Sequence, residues 1–118
     1  MSLRLVILVL DNPELVREVL DAWNEAGAPG ATVVHSIGMG RIERGLRDDV
    51  PLFPSLKDML EQDELHHRTL FTVVEGDDII NKIVEATETI VGDLNRPNTG
   101  ILFTVPVDFA RGVRRRQQ

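Results

Sequence analysis

A chain of 118 residues, 42% hydrophobic and 27% charged, has enough apolar material for one core and too little length for a second, so residues 1–118 read as a single domain. The formal charge of −6 argues against a general nucleic-acid binder. The absence of cysteine removes disulfides, thiolate metal sites and thiol nucleophiles, and fits a reducing, cytoplasmic setting.

Leu3 to Leu10 is a near-continuous apolar run. It is too short to cross a bilayer, follows no basic, Ser-rich leader and meets Asp11 directly, so it reads as a buried strand and not as a membrane anchor or signal segment. Asp11-Asn12-Pro13 then supplies a capping side chain and a proline for a first helical turn. Leu15, Val16, Val19, Leu20 and Trp23 recur at helical spacing, which makes Trp23 a core residue. This helix should stop within Ala26-Gly27-Ala28-Pro29-Gly30, and Ala31 to Ile37, rich in β-branched residues, should be a strand.

The segment from Arg41 to Arg68 is too long for a hairpin, and connections beyond about 12–15 residues are usually functional or mobile. Ile42 to Val50 alternates charges and is expected to be flexible. Leu52, Phe53, Leu56, Met59 and Leu60 then predict a short amphipathic helix, with Ser55 and Asp58 placed like a capping box. Its apolar side could pack inward or dock a partner, and either would make the loop the regulatory part. Leu70 to Val74 is the third expected strand. Gly76-Asp77-Asp78 opens a second helix with Ile79, Ile80, Ile83, Val84, Thr87, Ile90 and Val91 on its apolar face. Ile101 to Val107 is the last strand.

This order, βαββαβ, predicts an α+β, ferredoxin-like sandwich: a four-stranded antiparallel sheet with both helices on one face. The first strand, however, is apolar at both parities, and two helices cover one face only. The other face needs a cover, for which a second copy of the same sheet is the least costly candidate.

Two glycine-bearing turns are the candidate functional elements. Gly38-Met39-Gly40-Arg41 and Asn95-Arg96-Pro97-Asn98-Thr99-Gly100 each adjoin an apolar strand. Glycines let backbone N–H groups approach an anion, and arginine pairs bidentately with phosphate oxygens. Either turn alone also suits an ordinary hairpin or strand exit. A basic tail, 111–118, crowds Arg111, Arg114, Arg115 and Arg116 together, to be solvated or to fold back onto an anion.

Taken in order, Val33-Val34-His35-Ser36-Ile37-Gly38-Met39-Gly40-Arg41, the long loop, Phe71-Thr72-Val73-Val74-Glu75-Gly76-Asp77-Asp78 with the helix it opens, and Gly100-Ile101-Leu102-Phe103-Thr104-Val105-Pro106-Val107 resemble the PII (GlnB-like) signalling proteins. The resemblance covers nearly the whole chain. It implies a non-enzymatic homotrimer that binds an adenine nucleotide in clefts between subunits and regulates a target protein, a transporter or an enzyme, through the long loop. By motif it places the nucleotide on Gly38, Gly40 and Arg41, on Asn98, Thr99 and Gly100, and on Arg111 or Arg114.

Three departures from the family pattern shape that expectation. Ile101 stands where the family has a phosphate-binding lysine, which weakens triphosphate binding and leaves AMP or ADP as suitable as ATP. Ile42 replaces the glutamine that helps hold magnesium and 2-oxoglutarate, so 2-oxoglutarate sensing is not expected. The chain has no tyrosine, which excludes tyrosine uridylylation of the loop.

His66 and His67 are adjacent and on a strand would lie on opposite sides, unable to chelate one metal together. A metal site from His35, His66, His67, Glu64 or Asp63 is therefore not expected, and these histidines read as solvated loop residues. Asp48-Asp49, Asp77-Asp78 and Glu61-Asp63-Glu64 suit helix starts or polar faces. The alternative to a nucleotide sensor is a trimeric CutA-like protein binding divalent cations; a phosphate site needs the glycine and arginine cluster, whereas a cation site does not.

Overall fold

Strand β1 (Leu3–Leu10) is the spine of the molecule because both of its edges are paired. Leu8 lies opposite Leu70 of β3 (His66–Glu75) on one side and Leu102 of β4 (Gly100–Val107) on the other, antiparallel in both ladders. Strand β2 (Thr32–Ile37) pairs antiparallel with β3, which completes a four-stranded sheet in the order β2-β3-β1-β4. The computed structural model describes residues 2–37 and 66–113. The helix expected around 52–60 and the phosphate-turn residues Gly38, Gly40, Arg41 and Arg114 lie outside those residues.

The Asn12 side chain accepts a hydrogen bond from the Glu14 amide at 3.0 Å, and Pro13–Leu15 form a single 3₁₀ turn that leads into α1 (Val16–Ala26). Helix α1 ends on Gly27, whose left-handed φ of 109° lets its amide reach back to the carbonyls of Asn24 and Trp23. Helix α2 (Asp77–Val91) opens after Gly76 with Asp77 and Asp78 in its first turn, where carboxylates offset the unpaired amides.

Alternation decides where the core sits. Val6, Leu8 and Leu10 of β1, with Leu70 and Val74 of β3, are buried against Val19 and Trp23 of α1 and Ile83 of α2. Both helices therefore cover the same face, the ferredoxin-like arrangement. Trp23 is 1% exposed, and its indole N–H donates to Thr87 Oγ1 at 2.9 Å, so its polar atom is satisfied inside the core. The opposite face carries Leu5, Ile7 and Val9, flanked in register by Val73 and Phe71 on one side and Val105, Phe103 and Ile101 on the other. Ile101, Phe103 and Val105 are 57%, 41% and 40% exposed.

The third strand is longer than its apolar pattern predicted. It begins at His66, where sequence placed its start at Leu70 and left residues up to Arg68 in the loop. Backbone partners explain the difference: Ile37, Ser36 and His35 of β2 stand opposite His66, His67 and Arg68, so β3 continues although these three of its residues are polar. His67 is accordingly not a solvated loop residue. Its side chain is 14% exposed and lies beside Asp11 at the end of β1.

Candidate functional site

The second glycine turn is built by its own side chains before it reaches β4. Asp93 Oδ1 accepts from the Asn95 amide at 2.9 Å, its carbonyl accepts from the Arg96 amide at 3.0 Å, and Glu88 Oε2 accepts from the Leu94 amide at 3.0 Å. Asn98 then adopts a left-handed φ of 63°, a conformation that costs a non-glycine residue free energy and concentrates at functional turns. Gly100 is required by space as well as by conformation. Its φ is 144°, and a Cβ there would sit 2.6 Å from the carbonyl oxygen of Val9. The amide of Asp11 reaches the carbonyl of Thr99 at 3.5 Å, which holds the turn against the end of β1.

Asn98, Thr99 and Gly100 therefore form one ordered turn at the end of the sheet where β2 also finishes, on the way to Gly38. Arg96, exposed, is the cation within the turn. Ile101 follows on the open sheet face, in register with Val9, and brings no charge to the turn.

Arg111 is not brought to this turn. Gly100 and Val107 are opposite ends of β4, separated by about 23 Å of extended chain, and the tail continues beyond Val107. The tail's Gly112 lines a cleft of about 290 Å³ where β2 begins, together with Pro29, Gly30, Thr32, Thr72 and Val73 among others. Thr72 is 3% exposed and donates its hydroxyl proton to the Gly30 carbonyl, which fixes the β2 entry against β3. Sequence reasoning passed over this cleft. The available signal was one hydroxyl in the inward row Leu70, Thr72, Val74, where an aliphatic side chain is the rule.

Comparison with known proteins bears on this geometry directly. The nitrogen regulatory protein P-II family model matches residues 4–117, which takes in the sheet, both helices and both glycine turns. The chain belongs to the P-II family. It is also 28% identical over 113 residues to the nitrogen fixation nifHD region GlnB-like protein 1 of Methanothermobacter marburgensis, an alignment that covers 96% of each chain. Membership at this distance makes it a divergent P-II protein. Among the described residues no helix is long and apolar enough to cross a membrane, and no three metal-ligating side chains gather in one place.

Proposed function

We propose that this P-II-like signalling protein is a non-enzymatic homotrimer that binds an adenine nucleotide, AMP, ADP or ATP, in clefts between its subunits. It then regulates a target protein through the loop of residues 41–68. The observation that carries this reading is the separation of the anion-binding candidates along β4. The Asn98-Thr99-Gly100 turn and Arg111 lie at opposite ends of that strand, so a single phosphate group reaches both only if Arg111 comes from another copy. The open apolar face supports the same assembly. Left in water, it forfeits roughly 25 cal/mol for each Å² of apolar surface.

Within that cleft the turn supplies backbone amides, Arg41 a fixed charge and Arg111 or Arg114 a second one. The neutral Ile101 leaves less positive charge for a γ-phosphate, which favours the shorter nucleotides. Calorimetry with AMP, ADP and ATP tests the reading. At least one binds wild-type protein, and Arg41→Ala weakens it about tenfold or more, the loss of a charge-assisted phosphate contact. Absence of binding below about millimolar, or equal binding by the variant, overturns it.

A further inference from the structure

The open sheet face is apolar across its middle, and it carries a polar cluster at the corner where the long loop rejoins the sheet. There Ser36 Oγ and Thr69 Oγ1 share a hydrogen bond at 2.8 Å, and next to them His67 Nε2 stands 3.0 Å from Asp11 Oδ1. His67 is opposite Ser36 in the β2–β3 ladder, so four polar side chains, from β2, β3 and the residue after β1, occupy one patch. The His67–Asp11 contact is short but is not a hydrogen bond. Nε2 is enclosed and makes none. An enclosed nitrogen left without a hydrogen bond calls for an explanation, and one recurrent explanation is an ion between the groups.

We propose that His67 and Asp11 form a binding site for a divalent cation of the zinc, nickel or copper class. A cation bound by one imidazole nitrogen and one carboxylate oxygen at about 2.1 Å each holds those atoms roughly 3.0–3.4 Å apart, from octahedral to tetrahedral angles. The observed 3.0 Å falls at the octahedral end of that interval. The nitrogen donor selects borderline first-row cations over magnesium or calcium, which prefer oxygen alone. The side chains of His67 and Asp11 are 14% and 20% exposed, so the pair lies at the margin of the sheet and not in the core. No third histidine, aspartate or glutamate joins them among the described residues. Arg68, at the next position of β3, donates a guanidinium N–H to the His67 carbonyl at 3.4 Å.

Chelator-stripped, full-length protein titrated with Zn²⁺ alone tests the site without any nucleotide. One equivalent binds per chain, His67→Gln and Asp11→Asn each lower the affinity at least about tenfold, and His35→Gln leaves it unchanged. Should either variant fold poorly, substoichiometric Co²⁺ added to wild-type protein gives an independent readout by NMR. It broadens the His67 ring resonances before those of His35 and His66. No Zn²⁺ binding at 100 µM free metal (an order-of-magnitude ceiling for a two-ligand site), undiminished binding by the variants, or broadening that starts at another histidine overturns the proposal.

Discussion

Gly100 is the residue whose replacement has the most direct geometric consequence. A methyl group there meets the Val9 carbonyl at 2.6 Å, and the φ of 144° is one that L-residues rarely adopt. Gly100→Ala therefore costs on the order of 1–3 kcal/mol, read as a lower urea midpoint at an unchanged slope, and it disorders the turn that holds Thr99 against Asp11. An unchanged midpoint refutes the close approach. Trp23 makes a gentler case. Trp23→Phe keeps most of the buried ring but removes the 2.9 Å bond to Thr87, while Thr87 retains its 2.7 Å bond to the Ile83 carbonyl. The expected loss is about 1 kcal/mol, well below that of Trp23→Ala, which also opens a cavity. Chemical denaturation of the two variants side by side separates the hydrogen bond from the packing.

At the scale of elements, α1 is anchored by what flanks it as well as by its apolar face. Asn12 caps the 3₁₀ turn that leads into it through the Glu14 amide, and the left-handed Gly27 closes its exit. Asn12→Ala should destabilise by about 1 kcal/mol and Asn12→Asp by much less, since aspartate keeps the acceptor oxygen. Thermal unfolding distinguishes them, and equal losses would mean that the asparagine acts by something other than its cap. Strand β3 shows the opposite economy. From His66 to Arg68 it has no hydrophobic alternation and persists because β2 and β1 offer it backbone partners. That extension carries His67 to Asp11 and brings the root of the 41–68 loop onto the sheet.

For the whole molecule, the open face makes assembly the decisive property. Phe103 lies near the middle of β4, in register with Ile7, and is 41% exposed in the single chain. Phe103→Glu should convert the proposed trimer to monomer in sedimentation while leaving helical circular dichroism intact, because a carboxylate on a buried interface has no partner. A trimer that survives this change places the interface elsewhere. Nucleotide reading by the loop is checked by hydrogen exchange: residues 42–67 should exchange more slowly once nucleotide binds, and equal exchange in both states reduces the sensor to a passive binder.

How far the sequence determined this protein follows from the range of the forces involved. Helical and strand periodicity, the Asn12-Pro13 start, the Gly27 stop and the doubly apolar Leu3 to Leu10 run are local, so they were legible along the chain and led to the βαββαβ order, the core around Trp23 and an uncovered sheet face. The ordered motifs carried the P-II resemblance, which the family match bears out. Tertiary structure alone decided what depends on contacts between distant segments. It lengthened β3 through ladder bonds to residues far away in the chain, and it gave Thr72 a partner in Gly30. It set the Asn98-Thr99-Gly100 turn and Arg111 at opposite ends of one strand and drew Asp11 and His67, 56 positions apart, to within 3.0 Å. No spacing rule along a chain encodes such meetings, because they are fixed by sheet register, and register is settled only when the strands pair.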